Sequence, residues 1–391
     1  MTEAPTLIRT ATSKQKEIAQ TVMLVVTEKC NLNCAYCYEK EKAQRIMPVE
    51  MIQEIISRHM GEGEFSSVSF DFFGGEAMLE FETIQTVVEW FHARRWNKKH
   101  RFTISTNGTL FTEENKRWLA ANRSCLTPMV SFDGTKEAHD LNRSQSYDRV
   151  VQHLPFLREN WPQQPVRITA NAQAIPHIAA GVRNIHSFGL VAEVAIVLDD
   201  VWGSAEELQR SLDEYEKQLT ELIDHFEANP DLLVPVILSR QVQGLLSDHT
   251  PDKAFCGAGK YMVCYTPDGS AYPCHRFTPL CSSRPSALPT AKIPSPAESP
   301  CPSCPVIAIC PTCQGNNWEA NANTSLRTTF HCEFFKREAV ASAKLALRRI
   351  EKHIAESPSP EEALKALAPQ ILGVAMLMKA NPLPRKHAEA E

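Results

Sequence analysis

The sequence has 391 residues, of which 43% are hydrophobic and 22% charged. This composition is typical of a folded globular protein, and the length favours two domains. The formal net charge of −5 argues against nucleic-acid binding, which usually requires a basic patch. No apolar run approaches the ~20 residues of a membrane span, and the first 20 residues lack the apolar segment of a secretory signal. We therefore expect a cytoplasmic protein without a membrane or nucleic-acid partner.

Between residues 22 and 227, short apolar runs alternate with amphipathic stretches. The predicted strands are 22–26, 67–73, 101–106, 128–133, 166–173 and 191–198. The predicted helices are 48–60, 80–98, 113–122, 146–158, 176–188 and 204–227. Such alternation predicts an α/β fold in which helices cover a parallel sheet. Six units favour a partial (β/α)6 TIM-like barrel, and a doubly wound open sheet fits the same periodicity.

The first predicted strand is followed by three closely spaced cysteines, Cys30, Cys34 and Cys37, in the stretch "VTEKCNLNCAYCYEK". A structural zinc site closes its tetrahedron with four protein ligands. Three local thiolates therefore indicate a metal centre with one position kept for another molecule, and a zinc ion completed by a remote ligand is the alternative. The motifs "GGE", "TNG" and "SFDG" follow the next three strands, at the edge where parallel α/β folds build their sites.

The spacing C-x3-C-x2-C after a first strand resembles the signature of the radical S-adenosylmethionine (SAM) superfamily. The resemblance implies a [4Fe–4S] cluster held by Cys30, Cys34 and Cys37, with SAM bound to the fourth iron. One electron from this cluster would cleave SAM and release a 5′-deoxyadenosyl radical. A non-catalytic iron–sulfur electron carrier is the alternative from another class, although a carrier needs neither an open iron nor a SAM site.

The same resemblance implies which residues contact SAM. Gly74, Gly75 and Glu76 would meet its amino group, although Ala77 stands where the family usually has proline. The remaining contacts are Tyr36 at the adenine, Asn107 near the adenosine, Ser131 and Asp133 at the ribose or amino acid part, and Arg143 at the carboxylate.

After about residue 250 the sequence becomes rich in cysteine, proline and serine. Residues 261–277, "YMVCYTPDGSAYPCHRF", predict a β-hairpin with "PDG" as its turn. The region has too little apolar patterning to fold without metal ligands. Residues 333–380 are predicted to be helical, broken near Pro358, Pro360 and Pro369. The expected domains are an N-terminal extension (1–21), the barrel (22–227), a linker (228–255), a small cysteine-rich iron–sulfur domain (256–345) and a C-terminal helical tail (346–391).

The cysteine pattern of this second region resembles the SPASM domain of radical SAM enzymes that modify peptides and proteins. The gap between the third and fourth cysteines of the central quartet is one residue shorter than in the family. The resemblance implies two auxiliary [4Fe–4S] clusters. The first would use Cys301, Cys304, Cys310 and Cys332, and the second Cys256, Cys274 and Cys313. Cys264 is a candidate fourth ligand, an open iron is the alternative, and Cys281 is a spare. Structural zinc sites are the alternative for the whole region.

The resemblance predicts an oxidative maturase that abstracts hydrogen from a residue of a ribosomally made precursor peptide. Anaerobic sulfatase maturation, which makes formylglycine, is the alternative, but its branch is expected to have an aspartate after the hairpin cysteine. Here that neighbour is His275, a candidate proton acceptor or simply a packed polar residue. The expected partners are an electron donor such as flavodoxin or ferredoxin, and a separate leader-binding protein unless the enzyme reads the core peptide directly.

Overall fold

The computed structural model describes residues 7–8, 19–240, 242–246, 256–290, 298–329 and 331–380. Most of the expected N-terminal extension and about a third of the expected linker, as well as residues 381–391 of the tail, lie outside the described residues.

The strands are β1 (Gln20–Thr27), β2 (Ser67–Gly74), β3 (Lys99–Thr106), β4 (Leu126–Val130), β5 (Pro165–Ala170), β6 (Val191–Ile196), β7 (Met262–Tyr265) and β8 (Ala271–Tyr272). The helices are α1 (Val49–Gly61), α2 (Phe81–His92), α3 (Glu113–Ala121), α4 (Lys136–Asn142), α5 (Tyr147–Val151), α6 (Leu154–Asn160), α7 (Ile178–Ser187), α8 (Ala205–Ala228), α9 (Gln314–Asn321), α10 (Cys332–Glu356) and α11 (Pro360–Ala380). Short 3₁₀ helices occupy Ala77–Glu80, Ile175–His177, Val236–Leu238, Val242–Leu246, His275–Phe277, Cys301–Ser303 and Ile307–Ile309.

The sheet is parallel along the first six strands, as the sequence predicts. One sheet has the order β4-β3-β2-β1-β7-β8 and the other pairs β5 with β6. A single parallel bridge between Ser131 and Arg167 connects β4 to β5. The strands therefore follow one another from β1 to β6 in chain order, which is the arrangement of a partial barrel and excludes a doubly wound sheet.

Successive side chains along each strand point to opposite faces of the sheet, so each strand contacts two environments. Val22, Leu24 and Val26 of β1 are fully buried in the core between the sheet and its helices. Val166 and Ile168 of β5 belong to the same core. The intervening residues of each strand face the other side, which is the barrel lumen. This alternation leaves the lumen free to carry polar side chains.

Several details differ from the predicted elements. Helix α2 ends at His92, six residues before the predicted end at 98, and β5 ends at Ala170, three residues before the predicted end at 173. The predicted helix 146–158 is two short helices, α5 and α6, separated at Gln152 and His153. Pro369 lies inside α11 and does not break it. Helix α4 was not among the predicted helices. Its N-cap Thr135 accepts a hydrogen bond from the Ala138 N–H.

The predicted hairpin forms, and one of its strands also joins the barrel sheet. Strand β7 pairs in parallel with β1, with Cys264 opposite Met23, and antiparallel with β8. The turn residue Gly269 has φ +81°, and Asp268 accepts a hydrogen bond from the Thr266 hydroxyl at 2.7 Å. The hairpin thus extends the barrel sheet at the edge of β1, which fixes the cysteine-rich region against the first strand.

Helix α10 packs on the barrel's outer helix α8, and α11 packs on α10. Glu338 of α10 is buried, and its carboxylate accepts hydrogen bonds from the Tyr215 hydroxyl at 3.0 Å and from Arg240 at 2.6 Å. A buried carboxylate is stable when it is paired and hydrogen-bonded in this way. Within the described part of the chain, we find no helix with the length and apolarity needed to cross a membrane.

Candidate active site

The first three cysteines lie on the long loop between β1 and α1. The loop closes on itself where the Glu28 N–H donates to the Arg45 carbonyl at 3.0 Å and the Met47 N–H donates to the Val26 carbonyl at 2.9 Å. The buried Glu28 carboxylate also pairs with the Arg45 guanidinium, with N–O distances of 2.6 and 2.8 Å. The base of the cysteine loop is therefore fixed before any ligand binds.

The two glycines of "GGE" hold this loop against the end of β2. The Gly75 N–H donates to the Thr27 carbonyl at 3.1 Å, and the Glu76 N–H donates to the Lys29 carbonyl at 2.8 Å. A Cβ at Gly74 would overlap the Thr27 carbonyl, and one at Gly75 would overlap the Lys29 backbone. Glycine is required here because the two backbones touch. The segment predicted to contact SAM thus also positions the residue before Cys30.

Glu76 is buried and uses its carboxylate inside the protein. One oxygen accepts from the Thr106 hydroxyl at 2.6 Å and from the Met78 N–H at 3.1 Å, and the other accepts from the Asn107 N–H at 2.7 Å. These contacts tie the end of β2 to the end of β3. Burial raises the Glu76 pKa, and the hydrogen bonds from Asn107 and Thr106 oppose this rise. Its predicted contact with an amino group stays a prediction.

Asn107 connects the "TNG" loop to the cysteine loop. Its amide donates to the Asn31 side-chain oxygen at 2.8 Å, and its own side-chain oxygen accepts from the Thr109 hydroxyl at 2.7 Å. The Asn31 amide in turn donates to the Thr109 hydroxyl at 2.9 Å. Three side chains therefore hold the tip of the cysteine loop against the end of β3.

Asp133, Tyr36 and Arg143 form a buried cluster beside the second cysteine. One Asp133 oxygen accepts from the Tyr36 hydroxyl at 2.7 Å and from the Arg143 Nε at 3.0 Å. The other oxygen accepts from the Thr169 N–H of β5 at 3.0 Å. The Arg143 guanidinium lies over the Tyr36 ring, 5.2 Å from its centroid. The sequence analysis predicted separate SAM contacts for these three residues, and the structure brings them together as one network.

His139 supports this network through a hydrogen bond with the Asp133 backbone. Its Nδ1 accepts from the Asp133 N–H at 3.2 Å, so its Nε2 carries the proton and donates to Ser146 Oγ at 2.9 Å. Burial lowers the His139 pKa to about 4. Ser131, which was also predicted at this site, lies beside the network and bridges β4 to Arg167 of β5.

The chemistry of the three thiols fits a metal centre. All thirteen cysteines are free thiols. Burial raises the Cys30 pKa to about 11 and also raises that of Cys34. Burial alone would lower the pKa of the nearby Lys42, but the electrostatic effect of Cys37, Cys30, Glu39 and Cys34 raises it. Thiolates at such a site need a cationic centre to compensate their charge.

The second cysteine region contains two groups. Cys332 has its pKa raised to about 12 by burial and by its neighbours Cys310, Cys301 and Cys304, which is the set that the sequence predicts for one cluster.

The other group contains Cys256, Cys274 and Cys313. Burial raises the Cys274 pKa to about 12, with Cys313 and Cys256 adding to the rise. Cys264 and Cys281 belong to a separate buried cluster with Met23 and Phe73, although both lie close enough to Cys274 to interact with it electrostatically. Across the described ranges, no set of three or more His, Cys, Asp or Glu side chains is placed to hold a single metal ion.

His275 lies where the cysteine-rich region meets the barrel. Its ring is 4.9 Å from that of Phe73 and 5.2 Å from that of Tyr38, and its Nδ1 is buried without a hydrogen-bond partner. Burial lowers its pKa to about 3, with the neighbouring Arg276 and Arg167 adding to the effect. The imidazole is therefore neutral. Its predicted role as a proton acceptor stays a prediction.

Lys42 and the Arg276–Asp199 ion pair are features of this site that escaped the sequence analysis. Lys42 lies five residues after Cys37, in a loop without a regular pattern. Arg276 forms a bidentate ion pair with Asp199, with N–O distances of 2.9 and 3.0 Å. The two residues are 77 positions apart in sequence, so no local pattern indicates the pair. The one available signal concerned Arg276 alone, which follows the cysteine–histidine pair of the hairpin, next to residues already under consideration.

Comparison with known proteins agrees with this geometry. Residues 24–171 match the family model described as "Radical SAM superfamily". A radical SAM cyclopropyl synthase, TigE of Paramaledivibacter caminithermalis, is 28% identical over 164 residues, covering 37% of this chain and 34% of that protein. A serine-type anaerobic sulfatase-maturating enzyme of Bacteroides thetaiotaomicron is 30% identical over 146 residues, covering 34% of each. The match thus spans about a third of these relatives.

Solved structures share the fold over most of the chain. The structure of anSMEcpe with bound AdoMet and Cp18Cys peptide superposes with a TM-score of 0.65 at 19% identity, covering 85% of this chain and 99% of that one. Streptococcus suis SuiB bound to precursor peptide SuiA gives a TM-score of 0.56 at 17% identity, covering 80% and 76%. At these identities the similarity establishes the fold, including the cysteine-rich region beyond the barrel.

Proposed function

Residues 24–171 belong to the radical SAM superfamily, and from this premise we propose that the protein is a peptide maturase. It would abstract a hydrogen atom from a residue of a ribosomally made peptide, and a cross-link or a related oxidative modification would result. The observation that carries the proposal is the cysteine loop: Cys30, Cys34 and Cys37 follow β1 on one loop, which is clamped to two strand ends by Gly75 and Asn107.

The first centre would be a [4Fe–4S] cluster held by the three thiols, with SAM at its remaining iron. When bound, this pair supplies a 5′-deoxyadenosyl radical that can abstract hydrogen from the substrate. The chain itself provides the position and the exclusion of water. Asp133 fixes Tyr36 and Arg143 in one orientation, and His139 fixes the Asp133 backbone. The side-chain contacts proposed for SAM are therefore preorganised.

The cysteine-rich region would be a SPASM-like domain with two auxiliary clusters. Its hairpin strand β7 is paired with β1, and the Arg276–Asp199 ion pair attaches the segment after Cys274 to the end of β6. Both contacts attach the region to the barrel, one at its first strand and the other after its last. Iron–sulfur clusters cover a wide range of reduction potentials, so clusters here could accept the electron that the oxidised product releases. A flavodoxin or ferredoxin would reduce the first centre.

The peptide class is supported by the relatives. One similar structure contains a peptide and another contains a precursor peptide. Sulfatase maturation is the second candidate, because a sulfatase-maturating enzyme is among the relatives. Against it, His275 follows the hairpin cysteine where that branch is expected to carry aspartate.

The test is anaerobic reconstitution with iron and sulfide, followed by reduction in the presence of SAM. We expect release of 5′-deoxyadenosine, and loss of this release in Cys34→Ala but not in the matched variant Cys125→Ala. Mass spectrometry of candidate precursor peptides and of a sulfatase peptide then separates the two candidates. A protein that binds zinc, or that releases no 5′-deoxyadenosine, would contradict the proposal and would favour a structural or electron-carrying role.

A further inference from the structure

The lumen of the barrel carries an arginine whose donors are unmatched. Arg167 alternates along β5 with Val166 and Ile168, which are buried in the core, so its side chain faces the lumen. Arg167 is exposed, and its guanidinium makes no hydrogen bond or ion pair with any described residue. A guanidinium has five N–H donors in a planar fork that matches a carboxylate.

The position of Arg167 is close to the candidate active site. Its backbone bridges Ser131 at the end of β4, and its carbonyl accepts from the Phe132 N–H at 2.9 Å. The next lumen residue on the strand is Thr169, whose N–H holds Asp133. Successive residues on one face of a strand are about 7 Å apart. Arg167 therefore lies on the same face of β5 as Thr169, about one pair of residues away from the Asp133 network.

The acidic neighbours of Arg167 are already hydrogen-bonded elsewhere. Asp71 of β2 accepts from the hydroxyls of Thr103 at 2.9 Å and Ser105 at 3.2 Å. Glu193 of β6, which pairs with Arg167 in register, accepts from two backbone N–H groups at 2.9 and 3.1 Å. Both carboxylates lie close enough to interact with Arg167 without contacting it. They balance its charge without using its donors.

His275 is a further polar side chain in this part of the molecule, where the cysteine-rich region meets the barrel. It lies within electrostatic range of Arg167, and no described residue is hydrogen-bonded to its ring, whose Nδ1 is buried. A substrate that fills the lumen would cover the Arg167 guanidinium. Covering a guanidinium without giving it an acceptor is costly, so the substrate must supply one.

We propose that Arg167 binds a carboxylate of the substrate peptide inside the barrel. The carboxylate comes from an acidic side chain near the modified residue or from the peptide's C-terminus. This inference rests on the proposed function, and it narrows the substrate class to peptides that place a carboxylate next to the reacting residue.

The test uses the full-length, cluster-loaded protein with saturating SAM under anaerobic conditions. The probes are N-acetylglutamate amide against N-acetylglutamine amide, and acetyl-alanylalanine against its C-terminal amide, titrated by calorimetry. We expect one carboxylate probe to bind at least about tenfold more tightly than its amide twin, since hydrogen bonds to charged groups are strong. The pair that shows the preference identifies the source of the carboxylate.

The variant Arg167→Gln should lose this preference and Arg167→Lys should retain part of it. The matched control is Arg183→Gln, on the outer surface of α7, where Arg183 pairs with Glu221 at 3.2 Å; it should keep the full preference. Circular dichroism checks the folding of each variant, and Arg167→Lys remains informative if Arg167→Gln does not fold.

Three results would overturn the inference: equal binding of acid and amide probes by the wild type, an unchanged preference in Arg167→Gln, or an equal loss of SAM affinity in that variant. The last result would assign the guanidinium to the carboxylate of SAM. Release of 5′-deoxyadenosine is measured separately and without probes. If the wild-type protein releases 5′-deoxyadenosine but binds the acid and amide probes equally, the proposed function stands and the carboxylate site is refuted. If it discriminates between the probes but releases no 5′-deoxyadenosine, the site stands and the proposed function is refuted.

Discussion

The two cysteine-bearing regions are held in place by different means. The N-terminal loop of Cys30, Cys34 and Cys37 is clamped by backbone hydrogen bonds to β2 and by Asn107 at the end of β3. In the C-terminal region, Cys301 and Cys310 lie at single-turn 3₁₀ helices whose hydrogen bonds are local, such as those from the Cys304 N–H to the Cys301 carbonyl and from the Cys310 N–H to the Ile307 carbonyl. We therefore predict that the barrel forms the first site in advance, whereas the second region depends on metal for its structure.

The largest expected effect is on the preformed site. In Gly75→Ala, the new Cβ would overlap the backbone of Lys29, so the cysteine loop must move. We expect most of the SAM-responsive cluster signal to be lost, measured by electron paramagnetic resonance of the reduced protein with and without SAM. The matched control is Gly61→Ala at the end of α1, where a Cβ meets nothing within 4 Å. A full cluster signal in Gly75→Ala would show that the clamp is not needed.

Removing the metal should affect the two cysteine-bearing regions differently. After chelation, we expect amides of residues 301–313 to exchange on the order of 100-fold faster, because only local hydrogen bonds remain there. Amides of β1, β2 and β3 should stay protected, since their strands are paired within the barrel sheet. Hydrogen exchange with mass spectrometry measures both regions in one sample. Equal loss of protection in the strands would mean that the barrel also depends on the metal.

An intermediate effect concerns the polar network that supports the first site. The His139 pKa is lowered from 6.5 to about 4, chiefly by burial. The charged groups facing it are Asp133 and Arg143 in the network and Asp140 and Lys136 on its own helix. A lowered histidine pKa stabilises the fold above the unfolded value of 6.5, and this stability is lost as the pH falls towards 4.

Because His139 is fully buried, its share of the acid-induced loss is about 3 kcal/mol. In His139→Gln, the side-chain oxygen can still accept from the Asp133 N–H, but the side chain no longer titrates. We expect its unfolding free energy to fall less steeply than that of the wild type between pH 6.5 and 4, as measured by denaturant titration. Parallel curves for the two proteins would exclude His139 as a source of acid sensitivity.

The contrast between the regions also explains what could be predicted. The barrel strands were predictable because short apolar runs such as residues 22–26 alternate with amphipathic stretches along the chain, and the carboxyl ends of parallel strands meet at one edge. The site motifs follow those ends, so their proximity was predictable as well. The pairing of β7 with β1 was not, because it joins residues about 240 positions apart in sequence and no local pattern records it.

Side-chain partners inside the site were also beyond sequence reasoning. Tyr36, Asp133 and Arg143 were each predicted to contact SAM, and the structure shows that they contact one another. Arg167 was not predicted at all, because an arginine in a strand gives no sign of whether its donors are matched. That depends on Asp71 and Glu193, which come from other strands and have other partners.

The smallest expected effect tests whether cysteines outside the two regions take part in metal binding. Cys125 lies just before β4, with its Sγ 3.4 Å from His92 Nε2 and 3.3 Å from the Asn122 carbonyl. It is half-buried and distant in sequence from both groups. In Cys125→Ala, we expect unchanged iron content and a change in unfolding free energy within about 0.5 kcal/mol, whereas Cys304→Ala should lose iron. A loss of iron in Cys125→Ala would mean that a third region contributes thiolates, and the division of the molecule into one preformed and one metal-dependent site would be wrong.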